Sequence, residues 1–153
     1  MKKVILFSLF ILGLTMNTEL KGEIKNIVES GKFTIEIERV IPSSMRAQSV
    51  TSEYTLTLEN GTLSTHLPYI GKVDSAPYSA SNSLSIIIEG QKVELTQTYN
   101  EKKEKYTITF KAKNDQTNET CKFSIDIFKN GNCNIDLNVL GRQYISYSGK
   151  VKQ

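Results

Sequence analysis

An up-and-down antiparallel β-barrel of eight or nine strands, with one short N-terminal helix, is the fold class this all-β sequence predicts, and three observations lead to it. Apolar and polar residues alternate with period two through almost everything after Gly31, which is the pattern of strands with one buried face. Short turns join most of these strands, so consecutive strands are antiparallel neighbours. A meander in which every strand has an apolar face hides those faces and its edges by closing on itself. A two-sheet β-sandwich is the alternative, but it usually needs longer crossovers than these turns supply.

The first element is a targeting signal. Met1-Lys2-Lys3 is a short positive start, and Val4 to Leu14 is apolar apart from Ser8 and Gly13, the pattern of a signal peptide. That run falls well short of the roughly 20 residues a membrane-spanning helix needs. Residues 1–18 are therefore expected to be a cleaved signal peptide and residues 19–153 a single barrel domain, although Thr15-Met16-Asn17-Thr18 lacks the small-x-small cleavage pattern. The first cysteine is Cys121, so no lipid anchor is expected after the apolar run. The expected location is periplasmic or secreted, without a stable membrane anchor. Losing Lys2 and Lys3 lowers the formal charge of +3 by two. The remaining charges alternate in sign without a basic block or an aromatic-basic stripe, which excludes nucleic acid as an expected partner.

Helical spacing occurs once. Leu20, Ile24, Ile27 and Val28 recur at intervals of three and four before Gly31, so a short helix is expected there, its apolar face capping one end of the barrel. Phe33, Ile35 and Ile37 share a face of the first strand, which stops near Pro42. Tyr54, Leu56 and Leu58 lead into Asn60-Gly61, a two-residue hairpin turn that sets Leu58 opposite Leu63. The same arithmetic at Glu89-Gly90-Gln91-Lys92 gives a hairpin with Ile88 against Val93 and Ile86 against Leu95. A four-residue loop, Glu101 to Glu104, pairs Tyr99 with Tyr106 and Leu95 with Phe110.

At Asn130-Gly131 a two-residue turn would put Ile127 opposite Asn134 and mix core with solvent residues on one face. A three-residue loop, Lys129-Asn130-Gly131 with a Gly131 bulge, instead pairs Ile127 with Cys133, Ile125 with Ile135 and Phe123 with Leu137. The last strand runs through Ile145, Tyr147 and Val151. The longer links are Ser43 to Thr51 and Pro68 to Ser83, and long loops in compact domains are often functional. The inward residues, Leu95 included, are bulky and apolar, which suits a filled barrel better than one that carries lipid.

Two blocks in the chain carry a family resemblance. Leu67-Pro68-Tyr69-Ile70-Gly71 with Ala76-Pro77-Tyr78, and Arg142-Gln143-Tyr144-Ile145-Ser146-Tyr147-Ser148-Gly149 after Phe128-Lys129-Asn130-Gly131, resemble the DUF4251 family of exported Bacteroidetes proteins. The likeness covers roughly Lys21 to Val151. It implies a lipocalin-like β-barrel of unknown function and supplies no catalytic residues.

The residues themselves offer few centres of chemistry. His66 is the only histidine, and without partners in a recognisable pattern it makes neither a triad nor a metal site. Carboxylates such as Glu36 and Glu38 fall at outward strand positions, and no Gly-rich phosphate loop is present. No catalytic residue, metal or cofactor is expected. Cys121 lies six residues beyond the partner of Cys133, roughly 20 Å away at about 3.3 Å per residue, whereas a disulfide needs Cα atoms within about 7 Å. No disulfide is expected.

Arg142, before the last strand, either grips an anionic ligand at the barrel mouth or pins the strand end to a local acid. Tyr69 and Tyr78 either form a contact rim or pack the long loop onto the barrel end. Asp74-Ser75-Ala76 matches the Asp-Ser/Thr-apolar pattern at which Bacteroidetes attach O-glycans, which makes Ser75 a candidate glycosylation site. The expected function is a non-enzymatic binding or accessory module that contacts an envelope protein, a glycan or a small ligand at one barrel end. An envelope enzyme with a site at the mouth is the alternative.

Overall fold

The computed structural model describes residues 22–50, 53–71 and 85–152. The proposed signal peptide, Leu20, Ser75 and Tyr78 lie outside the described residues. Helix α1 (residues 22–29) is followed by β1 (Lys32–Pro42), β2 (Gln48–Ser49), β3 (Thr55–Glu59), β4 (Thr62–Leu67), β5 (Ile86–Lys92), β6 (Thr96–Asn100), β7 (Lys105–Lys113), β8 (Thr120–Phe128), β9 (Asn132–Val139) and β10 (Ile145–Val151).

These strands form one antiparallel sheet in the order β5-β4-β3-β1-β10-β9-β8-β7-β6, with two-residue β2 added beside β1. Apart from two-residue β2 and the step from β5 to β6, chain neighbours are sheet neighbours, and the last strand pairs with the first, as in an up-and-down barrel. The sheet curls into a barrel-like wall whose seam falls between β5 and β6. Among the described residues no ladder closes the seam. Two side chains and one main-chain bond do part of that work: Ile87 N–H donates to Asn114 Oδ1 at 3.3 Å, Glu89 N–H donates to Asp115 Oδ2 at 2.7 Å, and the main-chain Asp115 N–H donates to the Ile87 carbonyl at 2.8 Å.

Three of the four expected hairpins have the expected register. Leu58 faces Leu63, Tyr99 faces Tyr106, and Ile127, Ile125 and Phe123 face Cys133, Ile135 and Leu137. Gly131 has φ of +85°, and its N–H closes the loop on the Phe128 carbonyl at 2.9 Å.

The fourth hairpin is corrected. Glu89 to Lys92 do not turn back. They carry β5 straight on, with Ile88 opposite Thr65 and Lys92 opposite Thr62. Four steps of β5 span three of β4 between these rungs, so Gly90, at φ of +62°, occupies a bulge. Leu95 is corrected with it. It lies just before β6 and is 36% exposed, because no strand among the described residues covers that side of the open seam.

The interior is filled rather than hollow. Ile35, Leu56, Leu63, Ile86, Ile108, Ile125 and Leu137 have no exposed surface. A second bulge in β1, between Ile37 and Arg39, shifts the alternation so that Ile37 and Val40 are both buried. Helix α1 stoppers one end, with Ile24 and Val28, one turn apart, both buried. Ile24 lies directly under the Gly131 turn, where a Cβ would stand 3.2 Å from its Cδ1.

Candidate functional site

Among the described residues, polar and aromatic side chains gather at each end of the barrel. The end opposite the helix holds the residues that the sequence singles out. Tyr69 follows β4, and Arg142 follows the turn after β9. The Arg142 guanidinium lies 5.0 Å from the centre of the Tyr69 ring, within cation–π range. Its Nε and Nη2 donate to the two carboxylate oxygens of Glu119, at 3.0 and 2.5 Å. Thr117 adds a hydroxyl bond to the same carboxylate at 2.5 Å. Burial pushes the Glu119 carboxyl up, but the bonds from Arg142 and Thr117 outweigh it and hold the group below its ordinary value.

The surrounding bonds show what this cluster does. The Tyr69 hydroxyl donates to the Gln143 carbonyl at 2.7 Å, and the Tyr147 hydroxyl donates to the Pro68 carbonyl at 2.9 Å. Each sequence block thus reaches into the backbone of the other. Gly71 completes the fit, since a Cβ there would lie 2.9 Å from the Tyr69 hydroxyl. Tyr69, one of two candidates for an exposed rim, is 8% exposed and belongs to the core. The rim reading is corrected for that residue, and Arg142 is pinned to a local acid. Among the described residues this end is a lock.

The helix end differs. A cavity of about 230 Å³ lies between α1 and the β6–β7 hairpin, floored by Ile24 and walled by Tyr99 and Tyr106. The two rings are 4.7 Å apart and tilted at 45°. Tyr99 is 51% exposed although its register places it on the core-facing side of β6. The reason is topological: β6 is the last strand before the seam, and among the described residues no further strand covers its inner face.

The rim consists of Lys25 and Glu29, 4.0 Å apart on α1, and of Lys129 paired with Glu104. Tyr106 donates its hydroxyl to Glu29 at 3.1 Å. Burial, and then that bond, push the Tyr106 phenol up to about 12, so it stays neutral and serves as a hydrogen-bonding wall rather than a base. Sequence reasoning paired Tyr99 with Tyr106 but did not mark them as a site.

The other candidates for chemistry stand apart. His66 points outward and meets Tyr54 edge-on at 5.2 Å. Cys121 and Cys133 are free and buried. Burial pushes their thiols up to about 11 and about 12, which suppresses thiolate chemistry. Among the described residues no group of His, Cys, Asp and Glu could hold a metal ion, and no helix is long and apolar enough to cross a membrane.

Comparison with known proteins agrees with the fold. A family model described as a domain of unknown function, DUF4251, matches residues 15–151. The crystal structure of a DUF4251 family protein from Bacteroides eggerthii superposes with a TM-score of 0.63 over 86% of each chain, at 11% identity. At that identity the likeness speaks for the fold alone. No curated protein matches.

Proposed function

The chain belongs to the DUF4251 family, and from that premise we propose that it is an exported, non-enzymatic binding module that takes a glycan at the helix end of its barrel. The observation that carries this reading is Tyr99, a half-exposed ring on the core-facing side of an edge strand, set against the buried ring of Tyr106. A sugar ring has one apolar C–H face and a polar edge of hydroxyls. The Tyr99 and Tyr106 rings offer the matching apolar wall, and Glu29, Lys25, Glu104 and Lys129 offer donors and acceptors around it.

The cavity's 230 Å³ is below the roughly 300–1,000 Å³ of drug-sized sites, so it suits one ring of a chain entering from solvent. The rim acids argue for binding over catalysis. Each faces a lysine, and the phenol beside Glu29 stays neutral, so no free acid and base converge on one point. The apolar run of residues 4–14 supports the exported location.

Titration of the labelled protein with oligosaccharides of glucose, galactose and N-acetylglucosamine, followed by amide NMR shifts, tests this. Shifts are expected to cluster at Tyr99, Tyr106 and Lys129. Tyr99→Ala is expected to weaken binding at least tenfold while costing under about 1 kcal/mol, because the ring is exposed on an edge strand. Shifts gathered around Tyr69 and Arg142, or binding unaffected by the substitution, would overturn it.

A further inference from the structure

A second cleft opens beside the seam. A cleft of about 620 Å³ runs between the link that follows β5 and the strands β7 and β8, and Lys92, Lys111 and Lys122 line it together with Thr96, Thr109 and Glu94. Several lysines elsewhere on the wall meet carboxylates across strands, as Lys32 meets Glu59, Lys105 meets Asp126 and Lys150 meets Glu38. The three cleft lysines form no ion pair among the described residues. Lys111 and Lys122 moreover stand directly opposite one another in the β7–β8 ladder, a like-charge arrangement that destabilises a sheet.

The backbone adds a further feature. The β6–β7 ladder ends at Thr96 opposite Thr109. Four residues beyond Thr109, the Gln91 side chain takes the place of a strand, accepting from Lys113 N–H at 2.7 Å and donating to the Lys113 carbonyl at 3.3 Å. Backbone groups alternate in direction along a strand, so the N–H and carbonyl of Lys111 point into the seam, on a rung with no strand partner among the described residues.

We infer that this cleft is a binding site for tetrahedral oxyanions, sulfate or phosphate groups carried on a linear polyanion. Three ammonium groups, two threonine hydroxyls and a main-chain N–H donate from several directions. That suits an anion with three or more acceptor oxygens better than a flat carboxylate, for which arginine's planar fork is the matching group. Glu94 on the rim tempers the charge and leaves a net positive cleft.

The inference is independent of the glycan reading, because no residue that lines this cleft lines the cavity beside the helix. Its test uses dextran sulfate and inorganic polyphosphate as probes, which separate sulfate from phosphate preference, and neutral dextran as the blank. Binding is measured at fixed ionic strength on the whole domain and two charge-matched variants. Lys111→Gln with Lys122→Gln is expected to weaken binding of the preferred probe at least tenfold and to hold or raise the melting temperature, since a repulsive pair is removed. Lys102→Gln with Lys103→Gln, in the exposed β6–β7 turn, is expected to change binding by less than twofold. Equal losses in the two variants would show charge attraction without a site, and no binding of either polyanion would overturn the inference outright.

Discussion

Gly149→Ala is expected to abolish folding or to cost more than about 3 kcal/mol, beyond the usual range for overpacking. A Cβ at Gly149 would lie 2.0 Å from the carbonyl oxygen of Glu36 and 3.2 Å from Cα of Ile37. Both neighbours are backbone, so no side chain can swing aside. Strand β1 comes this close to β10 next to its own bulge, where Glu38 is the extra residue between the rungs of Ile37 and Arg39. The pairing also carries the whole topology, since β1 alone joins the β3-β4-β5 meander to β10 and the rest of the sheet. Urea unfolding of the purified variant is the check. A loss under about 1 kcal/mol would mean that β1 can slide away without losing its register.

The second large effect is expected at Arg142. Its side chain is completely buried, and Glu119 keeps 24% of its side-chain surface exposed. Breaking a buried pair by removing one partner costs about 3–5 kcal/mol, and the partial exposure of Glu119 places Arg142→Met near the lower end. The loss depends on pH, with a sign that follows from the depressed Glu119 carboxyl. A carboxyl held below its unfolded value, about 4.3 for glutamate, contributes stability that is present above that value and lost as pH falls through the folded one. Wild-type protein is therefore expected to lose this contribution on acidification. In Arg142→Met the carboxylate is left half-buried without its cation, a penalty that protonation relieves. The deficit of the variant is expected to be largest at neutral pH and to shrink below about pH 4. Urea unfolding across that range reads it, and a deficit constant with pH would assign the effect to lost packing alone.

Much of the fold is legible in the chain because its registers are local problems. The bulged turn at Lys129-Asn130-Gly131 follows from face agreement alone: only one loop length keeps Ile125 opposite Ile135. Glu89-Gly90-Gln91-Lys92 looks equally local and is not. A glycine at positive φ serves a tight turn and a bulge alike. What decides between them is that β4 needs a partner across from Thr62 and Leu63, which β5 supplies by running on. Leu95 fails for a related reason. Its face is right, but burial depends on where the curl stops.

The site was harder to read for the same non-local reason. Tyr99 stands opposite Tyr106 by simple counting, yet nothing along the chain says that the inner face of β6 goes uncovered. Tyr69 and Arg142 were legible as special residues and not as partners, since the bond from Tyr69 to the Gln143 carbonyl spans 74 residues. Their blocks read as a recognition surface when taken singly, and as a lock once the barrel brings them face to face.

The most direct test of that lock is a double-mutant cycle between Tyr69→Leu and Arg142→Met, each variant and the double measured by urea unfolding at neutral pH. Stacking of a desolvated guanidinium on a ring is worth about 2 kcal/mol, and groups in one contact network couple in their effects. The account predicts a coupling of at least about 1 kcal/mol. Single losses that add to within about 0.5 kcal/mol would mean that the two blocks do not hold each other, and would contradict it.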